Sequence, residues 1–308
     1  MIRALAICAL GLLLSACSVE SLPKPAESSE TVELTGLEAD GLPAQNVSIW
    51  LPPEYAGDTK QRFPVLYMWD GQNLFDPAKT HYGKAWMAQD VLTDLVAKGK
   101  AEPHIIVGIH SPPGLARYRV YLPHFAQLAS GPVAQNIADM AGGPIASKLQ
   151  LDWVADELVP RIDRDYRTLD APGSRTIAGA SMGGVMSCYA IVARPDTFGR
   201  AGCVSAHFAL VAPDVASANE AQIAGLWDAY LDANLGAPDG RRVWMDHGTE
   251  MLDSYYAPWQ VFVAEDFKRL GWVGGKDFTA RVYQGAEHDE NFWRERMPEM
   301  LRWLWREE

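Results

Sequence analysis

One stretch, Thr176 to Tyr189 (TIAGASMGGVMSCY), sets the strictest condition on how this chain can fold. It reads as a short apolar strand ending at Ala178, a tight turn carrying Ser181, and a helix that opens with Gly183 and Gly184. The spacing Gly179-Ala180-Ser181-Met182-Gly183 is G-x-S-x-G, which forces a serine into a strained strand-to-helix turn. Residues two before and two after must lack bulk, because their Cβ atoms would collide in so sharp a turn. The helix that follows aims free N–H groups and its positive dipole end at any negative charge developing beside the serine. The backbone N–H of Met182 is therefore the first candidate oxyanion donor. A glycine-rich turn without chemistry can carry the same five letters, and the strand before and helix after are the context that separates the two.

The flanking chain supplies a frame for such a turn. Val32 to Leu37 and Asn46 to Leu51 read as an antiparallel opening pair, and Phe63 to Trp69 (FPVLYMW) as a strand buried on both faces of a parallel sheet. A helix over Ala85 to Lys98, a strand over His104 to Ile109, and a helix over Leu151 to Tyr166 kinked or split at Pro160 follow. Beyond the serine turn come strands at Arg200 to Ala206, Arg242 to Met245 and Phe278 to Tyr283, alternating with helical segments at Ala218 to Leu235 and Pro258 to Leu270. This alternation predicts an α/β fold with a mostly parallel, doubly wound sheet in one domain over residues 31–308. Ser111 to about Leu149 shows no sustained period and reads as a cap or cleft wall, carrying Arg117, Arg119, Tyr121 and His124.

A serine hydroxyl is a weak nucleophile and needs a base, with a third group to orient the base. On such a sheet the reactive groups sit at the carboxyl ends of strands in the order Ser, acid, His. Of the seven histidines, His288 alone falls between the final strand and the final helix, while His110 and His247 follow strands at the wrong place in the order. For the acid, Asp253, Glu250 and Asp246 all fall at or after the penultimate strand, and Asp253 is narrowly preferred to Glu250. The loop after Phe63 to Trp69 should give the second oxyanion donor, from the N–H of Gln72 or Gly71.

The ends and the balance of charge limit location and partners. Residues 1–16 join a basic start to an apolar run too short to span a bilayer, and Leu14-Ser15-Ala16-Cys17 resembles a bacterial lipobox in which Cys17 is lipidated. Residues 17–30 (CSVESLPKPAESSE) read as a polar tether. The expected location is the cell envelope, with Ser18 after the cysteine pointing to the outer membrane, on its periplasmic or surface face. A net charge of −12 with no basic stripe argues against a nucleic-acid partner. Cys188 and Cys203 could pair or remain two buried thiols, and no cluster has metal-ligand spacing, so no metal or cofactor is expected.

Four segments in order, PVLYMWDGQNLFD, ADELVPRIDRDYRT, IAGASMGGVMS and YQGAEHDENFW, resemble blocks of the bacterial esterases related to esterase D, enterochelin esterase, the feruloyl and acetyl-xylan esterases and the mycolyltransferases. The similarity runs from about Val47 to Trp305. It implies an α/β-hydrolase fold, Ser181 as nucleophile, His288 as base, and an oxyanion hole from Met182 and the Asp70-Gly71-Gln72 loop. Asp70, Arg117 and Tyr121 are the candidate substrate-binding residues. Two departures stand out: the position three after the turn glycine, acidic in many relatives, is Met251, and the glutamate of an R-x-x-E-Y segment is Val120. The activity implied is that of a serine carboxylic-ester hydrolase on a small-molecule ester, carbohydrate-linked or siderophore-like, with eleven tryptophans mildly favouring carbohydrate. The alternatives are an acyltransferase on the same triad and a non-catalytic binding lipoprotein.

Overall fold

The computed structural model describes residues 31–80 and 82–307, so the expected signal segment, Cys17 and the tether lie outside the described residues. Strands β1 (Thr31–Leu37) and β2 (Gln45–Trp50) form the antiparallel opening. Then come β3 (Val65–Trp69), helix α1 (Ala88–Ala97) and β4 (Ile105–Ile109). Helices α2 (Leu115–Tyr121), α3 (Gly131–Ala141), α4 (Ser147–Trp153) and α5 (Val159–Asp165) precede β5 (Arg175–Ala180) and α6 (Met182–Ala193). The chain continues through β6 (Arg200–Val204), α7 (Pro213–Ala218), α8 (Glu220–Asn234), β7 (Arg242–Gly248), α9 (Ala257–Arg269), β8 (Phe278–Tyr283) and α10 (Glu290–Leu304).

The eight strands form one sheet in the order β1-β2-β4-β3-β5-β6-β7-β8. Only the pairings of β2 with β1 and with β4 are antiparallel; β4-β3, β3-β5 and every later pair are parallel. Burial follows from that position. Every residue of VLYMW in β3 and IIVGI in β4 is buried, as a strand covered on both faces requires. Alternate residues feed two cores: Tyr67 and Trp69 share one with Val185 and Met186 of α6, whereas Leu66 and Met68 share the other with Leu92 of α1 and Met300 of α10. Helix α6 buries all but its last residue, so the segment behind the serine turn lies at the centre of the molecule.

Two differences from the sequence reading have physical causes. The strand before the serine runs on to Ala180 and the helix begins at Met182, because the turn is a single residue. The stretch 111–149 holds α2, α3 and the start of α4: α2 and α4 are seven residues each, too short for a sustained period, whereas α3 does bury Val133, Ile137 and Ala141 on one face before Gly142 ends it in a left-handed cap. Pro160 divides its segment, as expected: a π-helical turn, Val154–Leu158, follows α4, and α5 starts again with the proline in its first turn, where no N–H is needed. Cys188 and Cys203 are both buried and free, and burial, then the neighbouring Cys188 sulfur, push the Cys203 thiol well up. No described helix is long and apolar enough to cross a membrane.

Candidate active site

Ser181 holds the left-handed, strained geometry φ 59°, ψ −121° between β5 and α6. Its N–H donates to Val204 O (3.0 Å) and its carbonyl accepts from His207 N (3.1 Å), which clamps the turn to the end of β6. Gly179 is required by close approach, since a Cβ there would lie 2.9 Å from the Gly183 backbone and 3.1 Å from Trp69 Cβ. Met182 is the first residue of α6, so its N–H has no partner within the helix.

The loop after β3 is built with equal economy. Asp70 adopts a left-handed conformation (φ 57°) and starts a 3₁₀ turn over Gly71–Asn73. The first bond of that turn runs from Asn73 N to Asp70 O (2.8 Å), which leaves the N–H groups of Gly71 and Gln72 ahead of it. A Cβ on Gly71 would meet the Gly108 carbonyl carbon at 2.4 Å, so only glycine lets the loop lie flat on β4. The Gln72 amide exchanges two hydrogen bonds with Ser111, at 2.9 and 3.1 Å, and Asn73 donates to Glu290 on α10.

His288 and Asp253 meet from β8 and β7. His288 Nδ1 lies 2.5 Å from Asp253 Oδ1, with Asp253 fully buried. The second oxygen, Oδ2, accepts from Ser205 Oγ (2.6 Å) and Gly248 N (2.6 Å). Burial pushes the Asp253 carboxyl up, but the hydrogen bond and charge of His288, with Ser205 and Gly248, outweigh it, and the group stays ionised below the ordinary carboxylate range. Glu250 makes no such contact: it precedes the 3₁₀ turn Met251–Tyr255, and its N–H donates to Ala286 O. Met251 is 69% exposed, and the turn it begins carries Asp253 back beneath His288. The histidine ring is held edge-on by Trp293 (centroids 5.0 Å apart) and Tyr256 (5.6 Å).

The three candidate substrate-binding residues form one cluster. Asp70 takes a bidentate pair from Arg117, both bonds 2.7 Å, and the Asp70 N–H donates to Tyr121 Oη (3.1 Å). Tyr121 is buried, so its hydroxyl supports the oxyanion loop from behind, whereas Arg117 keeps part of its side chain exposed. Val120, where relatives carry glutamate, is buried among apolar neighbours. Among the other histidines, His110 binds Ser48 Oγ (2.7 Å) and His247 bonds through Nδ1 to the Gly248 carbonyl at its own strand end. A recess of about 730 Å³ beside Gly71 and Gln72 includes His110 and Glu33 but not Ser181 or His288. Nine of the eleven tryptophans are buried, which removes the reason to read them as a carbohydrate platform.

Sequence reasoning missed the groups behind the pair. Arg296 of α10 is buried against Asp246 (3.1 Å), Asp253 (3.7 Å) and Ser205 Oγ. Asp246 also accepts from Trp244 Nε1 (2.6 Å) and Ser205 N (3.1 Å), and burial, opposed by Arg296, leaves its carboxyl raised. An arginine in the last helix carries no motif, although Asp246 at a strand end was visible. Among the described residues no group of His, Cys, Asp and Glu is placed to hold a metal ion.

Eight strands in this order, with a strained serine after β5, a carboxylate after β7 and a histidine after β8, define an α/β-hydrolase fold. The chain belongs to the family described as "Putative esterase", whose model matches residues 44–304. It is 28% identical over 167 residues to an endo-1,4-beta-xylanase/feruloyl esterase of Xylanibacter ruminicola, a match covering 52% of this chain and 19% of that protein. The curated relatives are thus matched over 56% of their length or less. An IroE-like serine hydrolase from Shewanella oneidensis superposes with TM-score 0.64 at 19% identity, covering 90% of this chain and 80% of that one. The enterobactin esterase from Shigella flexneri superposes with TM-score 0.62 at 17% identity, over 92% and 60%.

Proposed function

We propose that the protein is a serine carboxylic-ester hydrolase, and the observation that carries this reading is the buried His288–Asp253 pair, 2.5 Å apart, on the sheet edge that presents Ser181. Asp253 holds the imidazole with its Nδ1–H inward, leaving Nε2 free to take the Ser181 proton as Oγ attacks the ester carbonyl. The tetrahedral oxyanion is met by the N–H of Met182 and those of Gly71 or Gln72, fixed before substrate arrives. The proton passes from His288 to the leaving alcohol, and water then repeats the sequence on the acyl-enzyme.

The feruloyl-esterase and enterobactin-esterase names of similar proteins favour an aromatic-acid or siderophore-type ester, with the partly exposed Arg117 beside the acyl group. Turnover of p-nitrophenyl acetate, butyrate and octanoate and of methyl ferulate tests the class: at least one ester is expected to be hydrolysed, with loss of about 10⁵-fold or more in Ser181→Ala. A chain that hydrolyses none of them fits the binding-lipoprotein reading instead. The second part of the proposal is location. Residues 1–16 act as an export signal and Cys17 carries lipid that tethers the domain to the envelope through residues 17–30. Labelled palmitate should enter the protein and be lost in Cys17→Ser.

A further inference from the structure

Behind the His288–Asp253 pair lies a serine hydroxyl, Ser205, that the mechanism above leaves unused. Ser205 follows β6 directly, is fully buried and holds a left-handed backbone at φ 39°. Glycine takes that conformation freely and serine does not, so the backbone alone would favour glycine here. What a glycine would lack is the hydroxyl. Ser205 Oγ accepts from Trp293 Nε1 (3.1 Å) and from Arg296 Nη2, both on α10, and meets Asp253 Oδ2 at 2.6 Å. Arg296 Nη2 also reaches Asp246 Oδ1 (3.1 Å), which accepts from the Ser205 N–H as well (3.1 Å).

The direction of each bond follows by elimination. Indole and guanidinium nitrogens only donate, so Trp293 and Arg296 occupy both lone pairs of Ser205 Oγ. Asp253 is ionised and only accepts. The single Ser205 hydrogen therefore goes to Asp253 Oδ2. Gly248 N fills the other position on that oxygen (2.6 Å), which leaves Oδ1 for His288 Nδ1 (2.5 Å) and gives the carboxylate no second orientation. Arg296 itself stands 3.7 Å from Asp253 Oδ2, beyond a hydrogen bond, so its hydrogen-bonded path to the triad runs through the serine.

We infer that Ser205 is a positioning residue: it fixes the Asp253 carboxylate toward His288 and passes to it the positive charge of Arg296, a role that rests on the esterase reading and deepens it. A carboxylate that accepts from a polarised hydroxyl shares its charge and holds an imidazolium less tightly. His288 then releases its proton to the leaving alcohol more readily. Without the hydroxyl the Asp253 charge falls on His288 with one donor fewer to share it, and the ring keeps its proton to higher pH. Other titratable groups surround the pair: Asp246 on β7, Tyr283 on β8 with Arg296 over its ring (5.2 Å), and His207 after β6, joined to Tyr256 before α9 at 2.9 Å. Asp289, next to His288, is paired with Lys84. None of these side chains donates to the Asp253 carboxylate, so none replaces Ser205.

The pH dependence of kcat/KM tests this, on the full chain with whichever ester of the panel it hydrolyses best. Rates are taken per Ser181 titrated by a fluorophosphonate, so unfolded molecules do not count. In the unaltered protein, activity should climb an acid limb to a plateau as His288 loses its proton. Ser205→Ala should lower kcat on the plateau roughly 10- to 100-fold, the worth of a hydrogen bond to a charged group, with KM unchanged. It should also move the acid limb up by roughly 0.5–1 pH unit. Ser205→Gly suits the backbone angle, should show the same shift, and stands in if Ser205→Ala does not fold. A serine that only stabilised the fold would change the yield of titratable enzyme and leave the limb in place. A limb that stays in place or moves down overturns the inference and leaves the esterase reading intact; no turnover by the unaltered protein overturns both.

Discussion

At the scale of single residues, the account turns on which carboxylate orients His288. Asp253 touches the ring and Glu250 does not, so Asp253→Asn should cost about 10⁴-fold in kcat through the wrong tautomer, and Glu250→Gln well under tenfold. Esterase kinetics on purified variants check this, and comparable losses in the two would contradict it. Arg296 makes a different demand, because it is a buried cation between two buried carboxylates. Arg296→Met strands Asp246 and Asp253 together and should cost about 3–5 kcal/mol of stability, read by urea denaturation. The sequence placed Ser181 and His288 because motif and topological order single them out. It left Asp253 and Glu250 open, because a three-residue difference in a loop is decided by the 3₁₀ turn beginning at Met251. Arg296, Tyr256 and His207 were illegible for a related reason: each matters through a contact across 40 or more residues of sequence, such as His207 with Tyr256.

At the scale of elements, three junctions hold the reactive groups: the serine turn, the Gly71 loop and the start of α10. The last couples His288 to the rest of the fold. Asp289 caps α10 by accepting from Asn291 N and Phe292 N, and it pairs with Lys84 at 2.7 Å. Asp289→Ala should lower stability by about 1–2 kcal/mol and also lower kcat, since the residue before the cap is His288. Thermal melting and kinetics on the same sample read both, and loss of stability with unchanged kcat would contradict the coupling. Periodicity reveals an amphipathic helix such as α1, which buries Ala88, Leu92 and Leu95 on one face. It hides short helices such as α2 and compensations such as the π turn at Val154–Leu158, which leave no trace in residue type.

At the scale of the molecule, a mostly parallel, doubly wound sheet was legible because alternation of buried strands and amphipathic helices admits few topologies, and right-handed crossovers fix the hand. Buried titratable groups set the stability of the whole against acid. Burial lowers His207 to about 4 and His104 to about 3, the latter stacked on Trp305 at 3.6 Å. Unfolded histidines take up protons near pH 6.5, whereas these two do not until pH falls to about 4 and about 3. Their contribution is therefore whole above pH 6.5 and is lost as pH falls through the interval down to those values. For His207 the loss amounts to about 3 kcal/mol once pH reaches 4. Urea midpoints measured from pH 7.5 to 4.5 should hold to about pH 6.5 and then fall, and His104→Phe should flatten the slope. A flat profile down to pH 4.5 would contradict neutral burial.

The central claim is that Ser181, strained at the turn after β5, is a nucleophile served by the His288–Asp253 pair. The most direct measurement is mass spectrometry of the protein after reaction with a fluorophosphonate. The account expects one adduct per chain, mapped to Ser181, with labelling slowed at least a thousandfold in Asp253→Asn and abolished in Ser181→Ala. An unlabelled protein, or an adduct that persists in Ser181→Ala, would contradict it.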